Sequence, residues 1–276
     1  QEVSKVEAAA RVFRLSRAAV TADFMPGLMS KPHAGTFTSA CATLVFGGTG
    51  LLPEHTGNVF ICEPAQNLVQ RQVLRPEGAS FRSDLPYQGR EFLASTDVWF
   101  RPVFLADGPD GALYVADMNR REIDHPQYVP EESRGLLDFE AGHGTGRIYR
   151  IVREANPPRP ASLSARGHRD TPADLVRDLE SPDAWWRTRA RRLLLERRDA
   201  TAAPALAAAA TNAASAEARA AALWALHTLG ELSAATVTRA LRDASAGVRE
   251  QALQLAEPRL SGSPELTTAV LAVAAA

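Results

Sequence analysis

The hydrophobic rhythm of the chain changes once, close to residue 171. Ahead of it, apolar residues come in short alternating runs; behind it, they recur every three or four positions. The first spacing suits strands and the second amphipathic helices, since side chains alternate across a strand but return to one helix face about every 3.6 residues. Runs at 42–46, 58–62, 68–74, 99–105, 112–116 and 147–152 are rich in aromatic and β-branched residues, with a weaker run at 12–15. Gly47 to Gly50, Pro53 to His55 and Glu63 to Ala65 punctuate them. The strongest turn signal is Asp107-Gly-Pro-Asp-Gly111, which predicts a hairpin between 99–105 and 112–116. Phe81 or the run 91–93 is expected to supply an outer strand, and residues 25–32, with Pro26, Gly27 and Pro32, a loop. Residues 119–146 are longer than an ordinary connection and read as an insertion.

Behind residue 171 three segments align. Arg187, Arg219 and Arg249 stand 32 and then 30 residues apart, each followed three positions later by Ala190, Ala222 or Ala252. Ser181, Ser215, Ser233, Ser245 and Ser263 occupy N-cap positions, with Pro182 and Pro264 next in line. Shorter helices are expected at 203–211, 234–243 and 265–276. Helix pairs at a period near thirty residues predict HEAT-like repeats, and the matched alanines predict close helix contacts.

The strand part suggests blades of a β-propeller. A blade takes about 40–45 residues and a ring about 4–8 blades, so residues 1–153 amount to two blades and a fraction. The predicted architecture is therefore a partial all-β propeller over 1–153, a Pro-rich linker over 154–171, and an all-α HEAT-like repeat domain over 172–276. The chain starts at Gln1 without Met, within a strand-like pattern, and stops at Ala276 within a helical one, so an internal piece of a longer protein is expected.

At 276 residues the chain is long enough for two cores. Its 31 Lys and Arg balance 32 Asp and Glu, a net charge of −1, which argues against nucleic acid or an anionic membrane as a partner. No apolar run reaches the roughly 18 residues of a membrane span. The arginines from 187 to 198, preceded by Trp185 and Trp186, are expected to be a solvated helix face. Cys41 and Cys62 are the sole cysteines, and neither a Cys-x-x-Cys nor a haem-attachment motif occurs. No metal-ligand spacing, nucleophile elbow or carboxylate pair is present. Gly142-His-Gly-Thr-Gly146 precedes a strand where a phosphate cradle would open a helix, and so predicts a turn. Glu63 and Asn67 either line a binding face or cap the turn between them. Asp110 and Asp117 are expected to bond local backbone.

Trp99-Phe-Arg-Pro102 ahead of the Gly-Pro-Asp-Gly turn, with Thr36-Phe-Thr-Ser-Ala-Cys41, Asn58-Val-Phe-Ile-Cys-Glu-Pro64 and Gly146-Arg-Ile-Tyr-Arg-Ile151, resembles a bacterial family of secreted membrane-bound-dehydrogenase-like proteins. These join a propeller similar to quinoprotein sugar dehydrogenases to HEAT-like repeats, often with a C-terminal c-type haem domain. The likeness is close over residues 30 to 155 and looser beyond. It implies a secreted or periplasmic protein, with pyrroloquinoline quinone and calcium in the full-length form. It also implies a cofactor at the channel mouth, held by arginines and an aromatic surface. Asp97, Trp99 and Arg101 alternate along one expected strand, so they point the same way; Arg101 suits a bidentate carboxylate contact. The alternative is an Asp97–Arg101 pair that steadies the strand. None of His33, His55, His125 or His143 matches the catalytic histidine of those enzymes. In a secreted family the two cysteines imply a Cys41–Cys62 disulfide, the alternative being two buried thiols. Two functions follow as expectations. One is the C-terminal part of a sugar or alcohol dehydrogenase-like propeller, inactive as this piece, whose repeats bind a protein partner. The other is a non-catalytic scaffold for carbohydrate at the propeller face or for protein.

Overall fold

The computed structural model describes residues 11–15, 35–123, 125–129, 131–154 and 170–274. The expected loop at 25–32, His33 and nearly all of the expected linker at 154–171 lie outside the described residues. The chain separates into two compact units, Gln1–Arg159 and Pro160–Ala276.

The first unit holds two antiparallel sheets. One contains β1 (Cys41–Val45), β2 (Val59–Glu63), β3 (Leu68–Glu77), β4 (Ser80–Asp84) and β5 (Leu93–Ala94). The other is a meander of β6 (Pro102–Asp107), β7 (Leu113–Asp117) and β8 (Arg147–Ile151). Both candidates for the outer strand of the first sheet are used. The start of β3 pairs with β5 at Leu68 and Val69, while its far half pairs with β4 from Val73 to Glu77. That far half runs past the expected end at residue 74 because Gly78, at φ +60°, lets the chain turn back into a largely exposed ribbon. The turn at 107–111 closes the β6–β7 hairpin as its residues require, with Asp107 opposite Leu113. These are the meanders from which blades are made, but the described residues form two sheets and not a closed ring.

Alternation decides which side is buried. On β7, Leu113, Val115 and Asp117 are buried while Tyr114 and Ala116 are half-exposed. Leu113 and Val115 join Leu105 and Phe100 against Phe46, Phe60, Cys62 and Val69 of the first sheet, which makes one core. The sheets also meet through backbone. Gly50 N–H donates to the Gly111 carbonyl at 2.8 Å, and a Cβ on Gly48 would stand 2.2 Å from that oxygen. Only glycine fits there. The weak strand at 12–15 reduces to a bridge between Arg11 and Thr36.

The second unit is all-helical among its described residues: α1 (Pro172–Asp178), α2 (Ala184–Arg197), α3 (Ala203–Asn212), α4 (Ala216–Leu229), α5 (Ala234–Ala240), α6 (Ala246–Ala256) and α7 (Pro264–Ala274). Ser215 and Ser233 cap α4 and α5 through their hydroxyls. The cap of α2 is Asp183 and not Ser181, so Pro182 lies before the helix; Ser181 instead accepts the Asp183 N–H. Thr171 forms a capping box with Asp174, Pro172 following at the first helical position.

The aligned residues have one job in each repeat. Nη1 of Arg187, Arg219 and Arg249 donates to the two carbonyls just before the cap of its own helix: Ser181 and Pro182, Ala213 and Ala214, Asp243 and Ala244. Three residues on, Ala190, Ala222 and Ala252 are all fully buried. A side chain no larger than methyl lets neighbouring helix axes approach, and the leucines around them, Leu194, Leu223, Leu226 and Leu255, fill the core.

Candidate functional site

The segment that sequence marks for a cofactor is the junction of the two sheets. Residues 97–101 do not extend the strand. Asp97 accepts the Trp99 N–H at 2.9 Å and Phe100 N–H bonds the Asp97 carbonyl, which makes a turn, so β6 starts only at Pro102. The alternation expected of Asp97, Trp99 and Arg101 is therefore absent, because a carboxylate two residues upstream competes successfully for the backbone. Asp97 is exposed on the turn, and the half-buried Trp99 ring lies by the Gly142 turn. Arg101 points inward and is 6% exposed.

Its guanidinium is committed to main-chain carbonyls. Nη1 donates to Pro64 and Ala65 at 2.9 and 3.1 Å, Nε to Arg120 at 3.0 Å, and Nη2 to Arg121 at 2.6 Å. Four main-chain carbonyls from two separate segments thus share one planar donor fork. A quinone carboxylate would have to displace them, so Asp97, Trp99 and Arg101 do not fit that cofactor as they stand. Among the described residues no three His, Cys, Asp or Glu side chains gather as a metal-binding set.

The polar residues around Arg101 complete the joint. Asn67, left-handed at φ 60°, donates to the carbonyls of Val98 and Phe100 at 3.2 and 2.7 Å. Glu63 takes the N–H groups of Thr38 and Ser39 and the Thr38 hydroxyl. Burial nonetheless pushes its carboxyl above the usual carboxylate range, against the pull of those donors. Gln66 brackets Gly35 and Thr36. Asp117 caps the other side, its Oδ1 accepting Arg101 N–H at 2.7 Å and Asn119 N–H at 2.8 Å. Glu63 and Asn67 thus tie in distant backbone and not the turn between them, whereas Asp117 bonds the local Asn119 N–H as expected. The Gly142–Gly146 segment is a turn as well, Thr145 N–H bonding the Gly142 carbonyl.

A second buried polar group carries no sequence signal. His55 is 7% exposed between Phe60 and Phe92, its Nε2 3.4 Å from the Tyr87 hydroxyl. Arg71 reaches that hydroxyl at 2.8 Å and also bonds Asn58 and the Glu54 carbonyl. Burial, and then the Arg71 charge, lower the imidazole pKa, so the ring is held neutral. Its partners are 16 and 32 positions apart in pairwise sequence separation, which is why no motif announces them.

The expected disulfide is not present. Cys41 and Cys62 are register partners on β1 and β2, yet both are free thiols. Burial is the main reason that Cys41 is pushed up and that Cys62 is pushed up to about 12. Exchange chemistry needs the thiolate, which this environment suppresses.

The basic run on α2 is largely occupied. Arg189 pairs Asp170 at 2.6 Å over the Trp186 ring, Arg187 and Arg197 bond carbonyls, and Arg192 meets Glu196. What the helices do offer is a groove of about 610 Å³ across α2, α4 and α6, with Trp224 on its wall and Gln251 and Arg191 facing it. The pairing of Trp224 with Gln251, 27 positions away, was invisible in the sequence.

Against known proteins, a family model described as "Domain of unknown function (DUF7133)" matches residues 1–155. The chain belongs to this DUF7133 family, whose description carries no activity. No curated protein and no solved structure matches it.

Proposed function

We propose that the chain is a non-catalytic scaffold, its sheets a structural piece of a propeller-like array and its helical repeats a protein-binding module. The observation that carries this reading is Arg101: the one cation that the dehydrogenase resemblance offers to a cofactor is bonded to four backbone carbonyls. The neutral, buried His55 supports it, since Phe60 and Phe92 wall off a ring that a substrate proton would have to reach. No helix among the described residues is long and apolar enough to cross a membrane. The experiment is to add pyrroloquinoline quinone, calcium and a dye acceptor to the chain and to screen sugars and alcohols. Dye reduction no faster than the cofactor blank is expected. Substrate-dependent turnover overturns the reading.

A further inference from the structure

We propose that the free edge of β8 pairs antiparallel with β8 of a second copy, about a two-fold axis at Tyr149, so that two three-stranded meanders become one six-stranded sheet. The inference concerns the sheets and goes beyond the scaffold reading, on which it does not depend. The two sheets are built alike up to their third strand, and there they differ. On the side away from β2, β3 carries β5 and β4, and its residues Leu68 to Gln72 are all buried. The third strand of the other meander, β8, ends its sheet, and none of its five residues is buried. Among the described residues no other strand pairs with its outer side. An open row of N–H and C=O groups fits an extended chain. The devices that keep an edge single are weak here. β8 has neither Pro nor Gly, and its register with β7 is unbroken from Arg147 to Ile151. Its two arginines have partners within the copy. Arg150 pairs with Asp110 at 2.6 Å, while Arg147 donates to the Tyr149 hydroxyl at 3.3 Å and has Asp117 and Asp97 as acidic neighbours.

The sequence of β8 selects the occupant. Arg147-Ile-Tyr-Arg-Ile151, laid antiparallel on its own copy, sets each arginine opposite an isoleucine and Tyr149 opposite the partner's Tyr149. No like charges face each other directly and an aromatic pair stands at the centre, which is the pairing that stabilises neighbouring strands. Tyr149 is already fixed for this, edge-to-face with Phe100 at 5.8 Å and 67°. Ile148, 74% exposed in the single chain, comes against the aliphatic stem of the partner's Arg150. A two-fold contact of this kind closes on itself and leaves no further copy to add at that edge. A five-residue ladder covers far less than the roughly 800 Å² per partner of a standard interface, so the expected dimer is micromolar or weaker.

The test is sedimentation velocity of the full chain over a concentration series that reaches the high micromolar range. A reversible monomer–dimer equilibrium is expected. Ile148→Lys sets an ammonium opposite the partner's Arg150, and the two-fold axis makes that contact twice, so the dimer should weaken about tenfold. Ile148→Glu sets a carboxylate opposite the same arginine and should dimerise no more weakly than wild type. Leu271→Lys, at an equally apolar and 65% exposed position of α7, should leave the equilibrium unchanged. Because both positions are exposed, all three variants should keep the wild-type circular dichroism melt. A chain that stays monomeric throughout the series overturns the proposal. So does equal weakening by Ile148→Lys and Ile148→Glu, which would remove the register, or a dimer that only Leu271→Lys dissociates, which would place the contact on the helices. None of these outcomes touches the scaffold reading, which dye turnover alone removes.

Discussion

Arg219 grips Asp243 with two parallel bonds, Nε to Oδ2 at 2.7 Å and Nη2 to Oδ1 at 2.9 Å, and so ties the repeat of α4 to the repeat of α6. Both side chains are mostly buried, at 15% and 12% exposure. The same fork, through Nη1, holds the carbonyls of Ala213 and Ala214. At the position equivalent to Asp243, the turn before α4 has Ala213, so the ladder has its carboxylate rung at this one step.

Replacing Asp243 by Asn should therefore lower the stability of the helical unit by about 1–3 kcal/mol near neutral pH. The Arg219 bond is the main cause of the lowered Asp243 pKa. A depressed folded pKa contributes stability above the usual carboxylate value that is lost as pH falls through the folded one. Urea melts of wild type and variant should consequently converge in acid. A constant gap down to strongly acidic pH would show that the ion pair is not the source.

Ala222 has no exposed surface between α4 and its neighbours. Ala222→Glu should unfold the repeats, because an unpaired buried carboxylate costs several kcal/mol on top of the steric clash. Loss of the helical dichroism melt is the expected outcome. An unchanged midpoint would put this helix face at the surface.

His55 gives the sheet unit an acid sensitivity of defined sign. Its folded pKa lies below the ordinary imidazole value, so its contribution is full above about pH 6.5 and declines as pH falls through the folded pKa. Glu63 and Glu91, both raised by burial, act in the opposite sense at lower pH, where protonation favours the folded form. The difference between wild type and His55→Gln isolates the imidazole. It should shrink on acidification from pH 7; a difference that grows would mean that the ring is charged in the fold.

The thiols should remain thiols. Alkylation of the unfolded chain without reductant is expected to add two groups, and alkylation of the folded chain at neutral pH should be slow, with Cys62, at about 12, slower than Cys41. Mass spectrometry reads both. An unmodified denatured chain would restore the disulfide.

Local chemistry was what the sequence carried well. The Asp107–Gly111 turn, the six strand runs and the repeat marked by Arg187, Arg219 and Arg249 depend on residues a few positions apart, and all appear in the fold. The surroundings of the site residues depend on long-range geometry that spacing does not report. Alternation put Asp97, Trp99 and Arg101 on one side of a strand, whereas the Asp97 turn delays that strand to Pro102 and Arg101 bonds the distant carbonyls of Pro64, Arg120 and Arg121. The Cys41–Cys62 pairing across β1 and β2 was foreseen, but its redox state depends on burial that no spacing reports.

The most direct test of the scaffold account is a thermal-shift measurement on wild type and Arg101→Met, each with and without pyrroloquinoline quinone and calcium. A ligand that binds the folded state raises its melting temperature by mass action. With Arg101 as the joint between sheets, the variant melts well below wild type, having left buried carbonyls unbonded at about 1–3 kcal/mol each, and the quinone moves neither. A wild-type midpoint that rises with quinone, and a rise that Arg101→Met abolishes, would contradict the account and make Arg101 a cofactor clamp.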